Sequence, residues 1–189
     1  MDYKNCPYDD YFKKHARLFG LPWKLIKSQA WAESRFNPNA LSPAGARGLL
    51  QLMPKTDMAI DGHIDAFDVE GNVKDGVQYD REQYDHLKEI PDICERLKFS
   101  LASYNGGRGW VNLAMEIAYA YEKEEPMPHG HIGAKPGLWQ TWEFTKRFLS
   151  RPDCQDAHGK HPDHKQMIDY VEKIWSVFIP DIFEMEVKV

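Results

Sequence analysis

Apolar side chains recur along this chain at intervals of three and four, the spacing that puts them on one side of a helix. Phe12, Ala16 and Phe19 predict a first helix over Asp9–Phe19, closed by Gly20 where a C-cap glycine belongs. Pro22 suits the first turn of a second helix, and Leu25, Ile26 and Ala30 run along one face of it toward Glu33, which ends this buried helix. Val73, Val77, Asp80, Tyr84 and Leu87 mark a third helix over 72–87, its role packing. Ile93, Leu97 and Leu101 point inward from another over 92–104, and Val111, Ala114, Ala118 and Tyr121 line one over 110–121. A last amphipathic helix over 163–178 carries Met167, Tyr170, Val171, Ile174, Trp175 and Phe178.

The intervening text is of three kinds. Residues 37–48 are punctuated by Asn-Pro, Ser-Pro and Gly, the residues of turns. Residues 57–71 are polar and irregular, with Asp57, Asp61, Asp65 and Asp68 read as solvated loop and helix-surface carboxylates. Residues 122–137 are charged, then rich in Pro, Gly and His, and form a long loop of the kind that rims a binding cleft. Trp139 and Trp142 follow it, placed either to stack on a ligand or to fill a core.

At 189 residues the chain has room for one domain, 1–189, with a motif-bearing core over about 20–121 and a C-terminal loop and helix over about 122–189. Its 42% hydrophobic and 13% aromatic content suit a soluble globular protein, and no apolar run is long enough to cross a bilayer. A net charge of −5 with Lys and Arg dispersed argues against a nucleic-acid surface. Cys6, Cys94 and Cys154 are odd in number and far apart, so no disulfide framework follows from them. We expect a monomer with no integral membrane segment.

Glu33, at the end of a mostly apolar helix and followed by a Gly- and Pro-rich loop, is placed where a carboxylic acid can be withdrawn from water and keep its proton. That is what a general acid requires. Ser42, Gly45 and Gly48 allow close approach of the loop, and Gln51 offers a donor and an acceptor together. The plain alternatives are an exposed glutamate at 33 and ordinary turn chemistry in the loop. Ser34 fits a helix-terminal hydroxyl as well as a group that orients the acid.

The wording E-S-x-F-N-P-x-A-x-S-P-x-G-A-x-G-L-x-Q-x-M-P-x-T, read from Glu33 to Thr56, resembles that of the soluble lytic transglycosylases. A second element of that family, A-x-Y-N-G-G, stands at Ala102-Ser103-Tyr104-Asn105-Gly106-Gly107, and Asn72-Val73 with Gly76 and Tyr79 looks like its N-I-x-x-G-x-x-Y. The resemblance is good over residues 23–111 and loose elsewhere. It implies a mainly α, goose-type-lysozyme-like fold with a glycan cleft and little or no β-sheet. It also implies cleavage of peptidoglycan strands, with Glu33 catalytic and Ser42, Gln51, Met53, Tyr104 and Asn105 on the sugar. Met53 and Tyr104 equally suit core positions, and Asn105 equally suits the turn it precedes. Tyr170-Val171 is similar to a pair near the end of the family's domain, without the residues that precede it there.

The reaction implied needs no cofactor. One carboxyl protonates the leaving oxygen of the β-1,4 bond, then takes the proton of the C6 hydroxyl as that hydroxyl closes a 1,6-anhydro ring on N-acetylmuramic acid. A hydrolase using an Asp from 57–71 to activate water is the competing chemistry, and a non-catalytic glycan-binding or assembly protein the competing class. His158, His161 and His164, with His129 and His131, lack a second well-spaced Cys pair, so we expect no metal. The N-terminus shows no basic start or apolar core of a secretory signal. For a wall-cleaving enzyme acting in the periplasm or cell wall, that leaves a trimmed signal or delivery through phage lysis, a virion or a secretion apparatus.

Overall fold

The structure, a computed structural model, describes residues 3–61 and 67–178. Among these it is all α: α1 (Asp9–Phe19), α2 (Trp23–Ser34), α3 (Pro54–Asp61), α4 (Val69–Asp85), α5 (Ile93–Gly106), α6 (Arg108–Lys123), α7 (Trp142–Thr145) and α8 (His164–Phe178). Three short 3-10 turns lie between α6 and α8, and the only β pairing among the described residues is a pair of isolated bridges at Arg47. The chain packs as two compact units, one ending at Glu82 and resuming at Lys173, the other Gln83–Glu172. Helices α4 and α8 each contribute to both.

In the first unit α1 packs on α2. Helix α1 stops where the sequence places its stop: Gly20 is left-handed at φ 67°, and its N–H donates to the Ala16 carbonyl. Phe36, fully buried, packs between Trp31 and the equally buried Phe12, its ring centroid 5.2 Å from the first and 6.2 Å from the second. Lys27, buried on α2, donates to Asp9 at 2.8 Å and ties the start of α1 to the middle of α2. Asp68 caps α4, accepting from the Gly71 N–H at 2.7 Å, so the helix begins three residues earlier than the apolar spacing predicts.

The second unit is built on α5 and α6. Asp92 caps α5, accepting from the Glu95 N–H at 2.8 Å. Leu97 and Leu101 are buried as expected, but Ile93 is 62% exposed, because it lies in the first turn, before the helix meets its neighbours. On α6, Val111, Ala114 and Ala118 are buried while Tyr121 is 64% exposed, its ring laid against Phe148 at the unit's edge. Trp139 and Trp142 are core residues. Trp139 meets Tyr119 edge-on at 5.7 Å and donates from Nε1 to the Lys135 carbonyl at 2.8 Å, and Trp142 meets Phe99 at 5.5 Å. Both side chains are buried, so neither ring offers a face for a ligand to stack on.

Candidate functional site

Glu33 lies in the last turn of α2, half-buried, where the helix's terminal carbonyls make negative charge costly. The helix end is fixed by strain. Arg35 and Phe36 both take left-handed backbone angles, φ 54° and 61°, which cost non-glycine residues on the order of 1–3 kcal/mol each. Burial of the Phe36 ring and stacking of the Arg35 guanidinium 4.5 Å from the Trp31 centroid hold that conformation. Ser34 donates to the Ala30 carbonyl at 3.1 Å, the helix-terminal role, so it does not orient the acid. From α8, Lys173 donates to the Ala32 carbonyl at 3.4 Å beside Glu33. Burial and the nearby Arg35 hold its ammonium below the ordinary lysine range, while Glu33 acts in the opposite direction.

The loop after α2 is a self-bonded scaffold. Ser42 accepts at Oγ from the Ala46 N–H at 2.9 Å, and its N–H donates to the Ala46 carbonyl at 2.9 Å. Arg47 and Leu52 exchange N–H donors at 2.9 and 3.0 Å. Gly45 and Gly48 turn through φ 92° and 76°. Gln51, itself at φ 48°, donates from Nε2 to the Ala40 and Gly48 carbonyls at 3.1 and 2.9 Å. Its donor is committed to the loop, and only its carbonyl oxygen is left to address a ligand. Met53 is 43% exposed, which removes the core alternative for it.

Asn72 fastens this scaffold to α4. Almost fully buried, it accepts from the Leu50 N–H at 2.8 Å and donates to the Arg47 carbonyl at 3.1 Å. Leu50 itself is fully buried against Gly76, where any Cβ would collide with the Leu50 side chain. The N-V-x-x-G spacing is therefore a docking device: Asn72 holds the loop's backbone, and Gly76 one turn later admits its leucine.

Behind Glu33 lies a polar interior that helical periodicity did not reveal. Gln29, one turn before Glu33 on the same face of α2, is fully buried and donates from Nε2 to Asp80 Oδ1 of α4 at 3.2 Å. Asp80 is 3% exposed, and burial, reinforced by the charge of Glu33 and only partly offset by Gln29, pushes its carboxyl well above the usual range. It is not merely a packing position. Asp57, read from sequence as solvated, is buried on α3 and also pushed up by burial, with a hydrogen bond to Asp75 and the charge of Arg47 acting against this. Of the other acids read as solvated, Asp68 is a cap, Asp65 lies outside the described residues, and the Asp61 side chain does too.

Tyr104 and Asn105 sit at the end of α5, both half-buried, before Gly106 and the turn at Gly107, φ 99°. A Cβ at Gly106 would collide with Met167 of α8, so glycine there lets the two helices meet. Beside them Asn105, Gly106 and Trp110 share a cavity of about 280 Å³ with Lys160, His161 and Gln166, among others. Asn105 Oδ1 is buried without a hydrogen-bond partner. The histidines find local partners: His131 Nδ1 lies 2.7 Å from Glu89, which raises its affinity for a proton, and His161 Nδ1 lies 2.9 Å from the Cys154 carbonyl. Among the described residues no three metal-ligating side chains converge.

Comparison with known proteins identifies the lineage. The chain matches the Transglycosylase SLT domain family over residues 10–127, more than half its length. It is 31% identical over 167 residues to membrane-bound lytic murein transglycosylase F of Desulfosudis oleivorans, covering 88% of this chain and 34% of that protein. It is 35% identical over 168 residues to the protein of the same name from Shewanella oneidensis, covering 88% and 32%. The chain thus spans about a third of the length of the curated relatives it matches. In fold it is similar to the 70 kDa soluble lytic transglycosylase SLT70 from Escherichia coli, with a TM-score of 0.60 at 21% identity over 96% of this chain and 25% of that one. No helix among the described residues is long and apolar enough to cross a membrane. With its two motifs falling inside the matched span and its described residues forming an all-α, lysozyme-like fold, the chain belongs to the transglycosylase SLT domain family.

Proposed function

We propose that the chain is a peptidoglycan lytic transglycosylase that cuts the β-1,4 bond between N-acetylmuramic acid and N-acetylglucosamine, with Glu33 as its single acid and base. The observation that carries this is the position of Glu33, half-buried in the last turn of α2 and bordered by the strained, fixed residues Arg35 and Phe36. A proton passes from Glu33 to the departing glycosidic oxygen as the C1–O bond breaks. The carboxylate then accepts the C6 hydroxyl proton while O6 bonds to C1, leaving a 1,6-anhydro end and a new free 4-hydroxyl. No water is consumed. Lys173 stands near enough to support the ionised stage and the helix terminus the neutral one.

Within the first unit Ser42, the Gln51 side-chain oxygen and Met53 of the loop would orient substrate, and within the second the resemblance assigns glycan binding to Tyr104 and the unpartnered Asn105 oxygen. Of the acids the water-using alternative would draw on, Asp57 is buried, and Asp68 is exposed with one oxygen engaged as a helix cap. The family match runs from the first compact unit into the second, as far as residue 127, which supports reading that span as one catalytic domain. The substrate's location puts the place of action in the periplasm or wall.

Mass spectrometry of muropeptides released from purified sacculi tests this. Anhydro ends are expected from the wild type, and Glu33→Gln is expected to lower their release by about a thousandfold, the scale of losing a positioned acid and base. Reducing ends would make the enzyme a hydrolase, and undiminished release by the variant would remove Glu33 from the chemistry.

A further inference from the structure

Asp80 is a carboxyl without access to water, and its surroundings specify its protonation. Its Oδ1 accepts from Gln29 Nε2, while its Oδ2 and Gln29 Oε1 are both buried with no hydrogen-bond partner. As a carboxylate, Asp80 would leave two acceptors facing an interior that supplies no donor, which is costly. One proton on Oδ2 removes both deficits, because it turns that oxygen into a donor and Gln29 Oε1 is the orphaned acceptor of the same pair. The resulting acid–amide pair has two hydrogen bonds and no charge. Glu33 lies one helical turn beyond Gln29 on the same face of α2.

We propose that Asp80 is held as the neutral acid, paired at two points with Gln29, and that this pair is a positioning element that leaves Glu33 as the one carboxyl changing charge on its face of α2. The groups acting on Asp80 among the described residues are Gln29 and Glu33, both from α2, whereas Glu33 is also faced by Lys173. Burial pushes Asp80 in the direction the pairing requires, and the charge of Glu33 adds to it. The two carboxyls are therefore coupled. Glu33 ionises while Asp80 keeps its proton, and each ionised Glu33 makes Asp80 hold that proton more tightly. A second anion here would raise the cost of ionising Glu33 and so oppose the proton donation that opens the reaction.

The inference rests on Glu33 being the reacting acid, yet its first test does not depend on catalysis. Side-chain carboxyl carbons followed by NMR against pH are expected to show Asp80 deprotonating after Glu33, and at lower pH in Glu33→Gln than in the wild type. Titration of Asp80 in the ordinary aspartate range, or at the same pH in both proteins, would overturn the proposal. Asp80→Asn reproduces the neutral pair, so its wall-clearing rate is expected within about twofold of wild type with the alkaline limb of the pH profile unmoved. A limb displaced to lower pH would mean that Asp80 had been charged, and the idea fails. Asp80→Leu orphans Gln29 and is expected to lose at least about tenfold in rate, which Asn at the same position restores. Should Glu33→Gln remain active, the assignment of function falls while the carbon titration of Asp80 still stands by itself.

Discussion

The interiors of the two compact units are made of different materials. Around α2 and α4 the buried polar groups are mostly carboxyls and amides, Gln29, Asp57, Asn72, Asp75 and Asp80, with Lys27 paired to Asp9, His15 on α1 and one back-bonded hydroxyl, Ser28. In the unit built on α5 and α6 they are mostly hydroxyls that donate to nearby carbonyls, Ser100 to Leu97, Ser103 to Phe99 and Thr145 to Trp139, within a core of Trp139, Trp142, Phe99, Tyr119 and Phe148. An aromatic core with back-bonded hydroxyls stabilises by area and contact, and is indifferent to pH. A core of acids and amides gives up part of that stabilisation and gains an interior whose charge state can be set. The acid-bearing helix is packed against the second kind. Packing by aromatic area and the setting of buried charge thus fall mainly to different units of the chain.

Substitutions in each interior separate the two. Trp139→Ala should give the largest loss of stability, about 4 kcal/mol in chemical denaturation, with the pH dependence of whatever activity remains unchanged. A shifted pH profile would show that the aromatic interior also sets charge. Next is Gly76→Ala. In an open helix position the change stabilises by up to about 1 kcal/mol, and Gly109→Ala on α6, where nothing lies within 4 Å of the new Cβ, should show that sign. At Gly76 the methyl meets Leu50 and should cost about 2 kcal/mol by overpacking, displacing the loop that Asn72 holds. Equal effects at the two glycines would refute the docking role.

The smallest effect is at a pH-dependent contact of the aromatic unit. Hydrogen bonding to Glu89, opposed by burial and aided by the charges of Glu89 and Glu116, raises the His131 pKa above its ordinary value. A raised pKa means that the contribution is complete below the unfolded value, about 6.5, and is lost as pH rises through the folded one. His131→Gln should therefore cost up to about 1 kcal/mol near pH 5 and converge on the wild type in alkaline solution. Urea melts at the two pH values read this directly, and a cost that grew with pH would have the wrong sign.

Much of this was legible in the chain itself. The Asp9–Phe19 helix and its glycine stop, the helix carrying Glu33, the amphipathic α8 and the two motif turns follow from local rules: apolar spacing, caps and glycine at left-handed positions. These interactions span only a few residues, so a linear reading contains them. Periodicity says which positions share a face, but not what that face will meet. Asp80 fell in register with Val73 and Val77 and read as packing, and its meaning came only from Gln29, 51 residues away. Asp57 read as solvated, Trp139 and Trp142 as candidate platforms, Ile93 and Tyr121 as core, and each was decided by what packed beside it. Lys173 carried no signal until α8 brought it to the end of α2. Local sequence determined the elements and nominated Glu33 as the candidate acid, because backbone propensity and side-chain chemistry are properties of neighbours in the chain. Tertiary structure decided desolvation and charge, because both depend on residues distant in sequence that close off water.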